Sequence, residues 1–255
     1  MIVKKIDICN VPVSSVNIPQ ACEMIDQWIK ERKKVYVCVA PVSTIVDSQS
    51  DHEYKKILEE ADMVTPDGMP LVWTAKLMGD KSIERTYGPD LMLAVCEAGQ
   101  KKGYRHYLYG GTESACSLLK NVLKRNFPDI IICGSFSPPF KITYIQERKE
   151  ILDEINRLNP DVLWVGLGSP KQDYWMRHHR DRLDVPVMIG VGAAFDFLAG
   201  TKKQAPRWMR KAGLEWFFRL CSEPQRLWKR YLVGNTRFIF LLIGHLLKVR
   251  SGNKP

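Results

Sequence analysis

Residues 104–128, which read YRHYLYGGTESACSLLKNVLKRNFP, decide the fold class. The apolar run at 104–109 predicts a strand, Gly110-Gly111 predicts a turn, and the spacing from about Glu113 to Asn126 predicts a helix. The same order returns in DVLWVGLGSPKQDYWMRHH (161–179) and VPVMIGVGAAFDFLAG (185–200). Three such units predict a Rossmann-like α/β fold, in which a largely parallel sheet carries helices on both faces.

Composition changes sharply after residue 201. From Lys202 onward the chain has 13 Lys or Arg and two Glu, whereas residues 1–201 have 25 Lys or Arg and 26 Asp or Glu. Aromatic and basic residues there recur at helical spacing, as in WFFRL and LWKRY. We therefore predict a catalytic α/β domain at 1–200 and a basic, amphipathic helical appendage at 201–255. Its charge favours an anionic partner such as a membrane surface, a diphosphate or a nucleic acid.

The most apolar stretch of the appendage is short. FIFLLIGHLL, residues 238–247, has ten residues, about half of the ~20 that a membrane-spanning helix needs. This length predicts an appendage that lies on a membrane surface without crossing it.

Several functional classes have no motif in the chain. The seven cysteines form no C-x-x-C pair, and the N-terminus MIVKKIDICNVPV lacks the apolar core of a signal peptide. The chain contains no G-x-G-x-x-G fingerprint, phosphate-binding P-loop or G-x-S-x-G elbow. Reduced thiols in a cytosol are expected, and NAD enzymes, P-loop ATPases and triad hydrolases are disfavoured.

Glycine turns at strand ends favour a ligand that carries phosphate. The candidates are Gly110, Gly111, Gly166 and Gly168, whose N–H groups would point at an anion beside helix N-termini. The alternative is that these glycines only make tight turns. There is no Asp-x-Asp pair for a divalent ion, so a bound diphosphate would be neutralised by cationic side chains and helix dipoles.

Asp67 in TPDGMPLVW (65–73) allows two interpretations. It could cap a helix that starts near Met69, because Thr-Pro-Asp-Gly is favourable turn chemistry. It could also be a general base, since a carboxylate at a strand end would face the glycine turns. The residues alone leave Arg85 open between surface and site, and Gln172 open between a ligand contact and solvent.

Six motifs in order resemble the WecG/TagA/CpsF family of bacterial glycosyltransferases over essentially the whole chain. They are TPDGMPLVW, ERTYGPDLM, YLYGGTES, VGLGSPKQDYW, GVGAAFDFLAGTKKQAP and GLEWFFRLCSEPQR. The resemblance implies inverting transfer of a sugar, without metal or cofactor, from a UDP-sugar to an acceptor such as N-acetylglucosamine linked to polyprenyl diphosphate. It also implies a peripheral enzyme at the cytoplasmic membrane face, in the synthesis of teichoic acid, enterobacterial common antigen or exopolysaccharide.

The resemblance assigns roles to individual residues. Asp67 matches the general base that deprotonates the acceptor hydroxyl, and Arg85 matches an arginine near the donor. Gln172 and Asp196 match residues of the donor site, beside the four glycines. For the acceptor or its diphosphate, Arg219 and Arg226 match in position, and Lys229 or Arg230 would fill the next basic place.

One departure from the family pattern concerns the sugar. Teichoic-acid members have Thr-Pro-Asn after the second strand, whereas this chain has Ala40-Pro41-Val42. The polar contacts are then lost or taken over by Ser43 or Thr44. N-acetylmannosamine is the expected sugar, and another UDP-hexose, such as glucose in exopolysaccharide synthesis, stays open.

Two alternatives belong to other functional classes. A protein that binds a sugar nucleotide without transferring it would use the same glycine turns. A nucleic-acid-binding protein would use the basic appendage on phosphates, but nothing in residues 1–201 resembles a module that reads a groove, so nucleic acid is not an expected partner. The oligomeric state is left open.

Overall fold

The computed structural model describes residues 3–139 and 148–250, and it confirms the α/β prediction. Six parallel strands form one sheet in the order β4-β3-β8-β7-β5-β6, and two antiparallel strands form a separate hairpin. The strands are β1 (Lys5–Ile8), β2 (Val11–Ser14), β3 (Val35–Ala40), β4 (Met63–Pro66), β5 (Arg105–Gly110), β6 (Ile131–Phe136), β7 (Val162–Gly166) and β8 (Val187–Gly190).

Helices follow most of the strands, as the repeated strand–turn–helix pattern predicts. Up to residue 200 they are α1 (Ile18–Lys30), α2 (Val42–Ser48), α3 (His52–Glu60), α4 (Met69–Leu77), α5 (Gly88–Gln100), α6 (Glu113–Asn126), α7 (Lys149–Leu158), α8 (Lys171–His179) and α9 (Ala194–Ala199). The predicted helix from Glu113 to Asn126 is confirmed as α6, which begins after Thr112, whose side chain accepts a hydrogen bond from the Ala115 N–H.

The sheet is buried on both faces. In β3, alternate residues point to opposite sides, so that Tyr36 and Cys38 pack in one apolar layer and Val35 and Val37 in the other. Helices α1, α5, α6 and α9 cover the second layer, whereas α3, α7, α8 and the β1–β2 hairpin contribute to the first. This two-sided burial explains why the strands read as continuous apolar runs.

All six parallel strands end at the same edge of the sheet. The loops after β3, β4, β5, β7 and β8 therefore lie side by side, and they carry the candidate residues. The Asp67 N–H donates to the Ala40 carbonyl at 3.1 Å, which ties the end of β4 to the end of β3.

After Gly200, which ends α9 in the left-handed conformation (φ 74°), the described residues contain helices and no strand. We call residues up to 200 the body and residues 201–250 the appendage. The appendage comprises α10 (Arg207–Lys211), α11 (Glu215–Ser222), α12 (Pro224–Trp228), a π-helical turn (Lys229–Val233) and α13 (Gly234–Arg250). The division into two domains stays a prediction, and residues 251–255 of the predicted appendage lie outside the described residues.

Helix α13 packs on α2 of the body, and Phe238, only 4% exposed, joins the core there. The helical stretch Pro224–Val249, 26 residues in all, is long and apolar enough to cross a membrane by length and composition. This helical stretch is longer than the ten residues expected from FIFLLIGHLL, because it continues on both sides of that segment.

Candidate active site

A cavity of about 450 Å³ lies between the carboxyl edge of the sheet and the appendage. Its polar lining comes from both parts of the chain, and most of its apolar lining comes from side chains of α4 and α13. The polar residues that the sequence singled out and that line it are Ser43, Asp67, Arg85, Arg219 and Arg230. The structure thus brings residues together that are almost 190 positions apart.

The Asp67 carboxylate is held at the N-terminus of α5. Its Oδ1 accepts a hydrogen bond from the Gly88 N–H at 3.2 Å. Of the two interpretations of Asp67, the one in which it caps the helix starting at Met69 is wrong. Gly68, with extended φ −91° and ψ 136°, is the residue that precedes the first turn of α4, and no side chain caps that turn. The carboxylate is therefore positioned by an element that begins 21 residues later.

Burial and charge raise the pKa of Asp67 above its ordinary value. Loss of solvation has the largest effect, and the Glu215 carboxylate also favours the protonated form. Arg85 and the Gly88 N–H act in the opposite direction without outweighing them. A carboxylate with a raised pKa is a better proton acceptor, which is what a general base requires.

Arg85 links the body to the appendage. Its Nε donates to the Asp67 carbonyl oxygen, its Nη1 to the Arg210 carbonyl at 3.3 Å and its Nη2 to Glu215 Oε2 at 2.6 Å. Nη2 is also 3.9 Å from Asp67 Oδ1, and the guanidinium lies over the Tyr87 ring. Burial lowers the Arg85 pKa, but the Asp67 and Glu215 carboxylates raise it by more, so that the pKa lies above its ordinary value.

The structure separates the four basic candidates of the appendage into two pairs. Arg219 and Arg230 are half-buried and line the cavity. Arg226 is exposed and pairs with Glu223 at 2.6 Å, and Lys229 is exposed with its ammonium 5.5 Å from the Trp228 ring centre. Of the two sequence alternatives, Arg230 rather than Lys229 faces the cavity.

Arg230 lies in the π-helical turn, where one extra residue per turn changes which side chains face the body. Burial lowers the Arg230 pKa, and neighbouring Arg219 lowers it further, whereas Asp47 and Asp67 raise it. Two half-buried cations that line one cavity favour binding of an anion that carries more than one charge.

Ser43 and Thr44 have different surroundings. Ser43 lines the cavity together with Pro41 and Val42. Thr44 is 1% exposed, and its Oγ1 accepts a hydrogen bond from the Tyr54 hydroxyl at 3.4 Å. Ser43 therefore supplies a hydroxyl to the cavity, and Val42 places an apolar side chain beside it.

Gln172 supports the glycine turn after β7. Its side chain is 2% exposed, so the interpretation that it faces water is wrong. Oε1 accepts from the Gly168 N–H at 3.1 Å, and Nε2 donates to Ser169 Oγ at 3.2 Å. The amide also fills the space beside Gly190, where a Cβ would lie 2.8 Å from Nε2.

The predicted donor glycines lie at the sheet edge, and close packing explains why two of these positions have no side chain. A Cβ on Gly110 would lie 2.6 Å from the Gly166 backbone, and one on Gly166 would lie 2.8 Å from the Phe195 ring. The Gly111 N–H donates to the Gly166 carbonyl at 3.1 Å. Gly168 has φ +80° and open space on its Cβ side. The turns thus hold the strand ends close together, and Gly168 leaves room above them.

Asp196 lies on α9, near the junction with the appendage. Its Oδ2 pairs with Lys202 Nζ at 3.2 Å, and its Oδ1 accepts from Thr201 Oγ1 at 3.0 Å. Among residues 3–139 and 148–250, no group of three or more His, Cys, Asp or Glu is placed to hold a metal ion.

Sequence reasoning missed Glu215, Tyr231 and Arg210, which also line the cavity. Glu215 carried a usable signal, because it is one of only two acids among 13 basic residues from Lys202 onward. An acid kept in so basic a segment suggests a specific cationic partner, which the structure shows to be Arg85.

Comparisons with known proteins agree on one family. The model of the glycosyl transferase WecG/TagA/CpsF family matches residues 6–252. A relative from Bacillus subtilis (strain 168) is 30% identical over 224 residues, covering 85% of both chains. One from Bacillus spizizenii (strain W23) is 29% identical over 89% of this chain and 85% of the relative. One from Staphylococcus aureus (strain MW2) is 24% identical over 96% and 93%. Each relative is named N-acetylglucosaminyldiphosphoundecaprenol N-acetyl-beta-D-mannosaminyltransferase.

Proposed function

The chain belongs to the WecG/TagA/CpsF family of glycosyl transferases and is a glycosyltransferase; on that premise we propose a specific reaction for it. The enzyme moves N-acetylmannosamine from a UDP-sugar to N-acetylglucosamine carried on a polyprenyl diphosphate. The names of the relatives support the transferred sugar and the acceptor. The observation that carries the proposal is Asp67, a carboxylate of raised pKa, in a cavity shared with Arg219 and Arg230.

The reaction is a single displacement that inverts the anomeric carbon. Asp67 takes the proton from the acceptor hydroxyl, whose oxygen forms a bond to the anomeric carbon as the bond to the UDP oxygen breaks. Charge then builds up on the departing diphosphate, and Arg219 and Arg230 stabilise it. Arg85 holds the Asp67 loop and adds positive charge 3.9 Å from the carboxylate. Cationic side chains provide this stabilisation in the proposal, and no divalent ion or cofactor takes part.

The donor lies over the turns after β5 and β7. The open Cβ side of Gly168 supports this placement, since a ligand can approach the backbone there. Gln172 fixes that turn from below through the Gly168 N–H. Asp196 is on α9 beside the same turns, and we assign it to the rim of the donor site.

A second donor remains a candidate because of one observation in the cavity. Val42 lines the wall beside Ser43, at the position where the teichoic-acid members have an asparagine. A donor without an N-acetyl group, such as UDP-glucose, suits an apolar wall better. The acceptor and the mechanism are the same in this alternative.

The protein acts at the cytoplasmic face of the membrane as a peripheral enzyme. Helix α13 exposes Ile239 (55%), Phe240 (70%), Ile243 (51%) and Leu247 (62%), while Phe238 and His245 on its other side are buried against the body. A helix with one face in the protein core and one apolar face in solvent suits the membrane interface. The surrounding Lys and Arg add attraction to anionic lipids.

The test uses the full chain, a panel of UDP-sugars and N-acetylglucosamine on a short prenyl diphosphate, with products identified by mass spectrometry. We expect the acceptor to gain one N-acetylhexosamine from UDP-N-acetylmannosamine, with the same rate in EDTA. A hexose gained from UDP-glucose selects the second donor. Failure to transfer any sugar from the panel, while UDP-sugars still bind, contradicts the transfer and supports a binding protein.

A further inference from the structure

On its apolar side the active-site cavity forms a groove between α4 of the body and α13 of the appendage. One wall is formed by Met69, Trp73 and Leu77, which are spaced four residues apart and so form one stripe along α4. The other wall is formed by Ile239 and Leu242 of α13. The polar residues Asp67, Arg219 and Arg230 line the same cavity. Because α4 begins two residues after Asp67 and continues to Leu77, the lining changes from polar to apolar along this helix.

The α4 stripe is exposed although it belongs to the body. The Trp73 side chain is 50% exposed and Leu77 is 68% exposed. The indole ring is nevertheless held in position, because a Cβ at Gly213 would lie 2.6 Å from Trp73 Cη2. Gly213 (φ +72°) lets the appendage backbone approach that closely, so Trp73 stays at the groove with one face covered.

A groove with cations at one end and apolar side chains at the other fits an amphiphile with an anionic head. We propose that the α4 stripe and its partners on α13 bind the first isoprene units of the acceptor lipid, with its diphosphate at the polar end of the same cavity. The identity of the lipid rests on the proposed function. The acceptor is then recognised through its prenyl chain inside the protein, in addition to any contact that the chain makes with the membrane.

The size of the stripe limits how much of the chain it can bind. From Met69 to Leu77 the helix rises about 12 Å, which accommodates only the first few isoprene units. Affinity is therefore expected to rise with each of the first units added to the diphosphate and then to level off. A chain held only by the bilayer would not produce this plateau in a membrane-free solution.

The test measures binding of prenyl diphosphates without sugar to the full-length protein, in the absence of membranes. Titrations with inorganic, dimethylallyl, geranyl and farnesyl diphosphate give the effect of each isoprene unit on Kd. We expect Leu77→Ala to weaken farnesyl diphosphate binding about five- to tenfold, because a contact with a leucine side chain is lost. Binding of inorganic diphosphate should not change.

Leu118→Ala is the matched control, since Leu118 on α6 is also an exposed leucine of the body (43%) and lies away from the cavity. It should leave every Kd unchanged. The proposal is overturned if Leu77→Ala binds farnesyl diphosphate as the wild type does, or if Kd does not depend on chain length. It is also overturned if a dispersed short-chain phospholipid binds as tightly as farnesyl diphosphate. Sugar transfer plays no part in this measurement, so its failure is distinct from failure of the proposed reaction.

Discussion

Arg85 Nη2 donates to Glu215 Oε2 at 2.6 Å, across the junction between the body and the appendage. The same nitrogen lies 3.9 Å from Asp67 Oδ1. The Arg85 guanidinium therefore couples the position of the appendage to the ionisation of Asp67, the proposed base. The Glu215 carboxylate raises the Asp67 pKa, whereas the Arg85 guanidinium lowers it.

Glu215→Gln should move the acid limb of the pH–rate profile to lower pH. Asp67 acts as a base only when ionised, so activity is lost as the pH falls through its pKa. Removing the Glu215 charge lowers that pKa, and the loss then occurs at a lower pH. The measurement is kcat/KM for sugar transfer against pH. Glu223→Gln is the control, because Glu223 pairs with exposed Arg226; an unmoved or raised acid limb in Glu215→Gln contradicts the coupling.

Asp67→Asn should lower kcat by about 100-fold or more, the contribution typical of a general base. The folded protein should at the same time become more stable at neutral pH. The pKa of Asp67 is higher in the folded state than in the unfolded state. At pH values between these two pKa values the folded state binds more protons, so the free energy of unfolding falls as the pH rises through this range. Asparagine does not ionise, so this loss of stability disappears, and its amide oxygen can still accept a hydrogen bond from the Gly88 N–H.

Thermal unfolding measured beside single-turnover rates tests both parts of this expectation. Asp129→Asn, a change at an exposed aspartate, is the control for both. A variant that keeps near-normal turnover would exclude Asp67 as the base.

Arg219→Ala and Arg230→Ala should each lower kcat by about 10²- to 10³-fold, as loss of one preorganised donor at a developing charge does. Arg226→Ala and Lys229→Ala should stay within about threefold of wild type, because both side chains are exposed and neither lines the cavity. A water-soluble acceptor removes any effect on membrane binding. Equal losses in all four variants would show that the appendage acts by overall charge and not by position.

Phe240→Glu and Leu247→Glu should weaken binding to phosphatidylglycerol vesicles, each by about tenfold or more, because a carboxylate replaces an apolar contact in the interface. Both side chains are largely exposed, at 70% and 62%, so the fold should persist. Flotation with vesicles is the measurement, and Leu118→Glu on the body is the control. Unchanged flotation would mean that this face of α13 does not meet the membrane.

Asp173→Asn should change the pH dependence of stability. Burial raises the pKa of Asp173 to about 6, although hydrogen bonds from Tyr54 and Ser169 act against the shift. Its folded pKa exceeds the unfolded one, so wild type loses stability as the pH rises from about 4 to 6. Relative to wild type, the variant should gain on the order of 2 kcal/mol across that range. Urea unfolding at pH 4 and pH 7 checks this, and a constant difference would contradict it.

Local sequence was sufficient wherever a single segment decides the outcome. The strand before Gly110 and the helix after Thr112 were predicted to within a residue, because apolar periodicity and turn residues act over a few positions. Asp67 was correctly expected at a strand end, since Pro66 closes β4. The interpretation of Asp67 as the cap of α4 was wrong, because its carboxylate accepts from the Gly88 N–H at the start of α5.

Contacts between distant segments could not be predicted in this way. Arg85 and Glu215 are 130 positions apart, and no local pattern pairs them. Whether Arg230 or Lys229 faces the cavity depends on a π-helical turn, which changes the register that ordinary helical spacing assumes. In the sequence, the residues of the α4 stripe only belong to the helix that starts near Met69. The position of α13 shows that they line a groove.

By itself, the sequence determined the α/β class, the strand ends that carry Asp67 and the glycine turns, the basic appendage and, through six ordered motifs, the family. These follow from periodicity, turn chemistry and charge, which act along the chain. Only the tertiary structure decided which charges share the cavity, what raises the Asp67 pKa and which apolar side chains stay uncovered. Burial and charge–charge energies depend on distances in space, and those are set by how the appendage packs on the body.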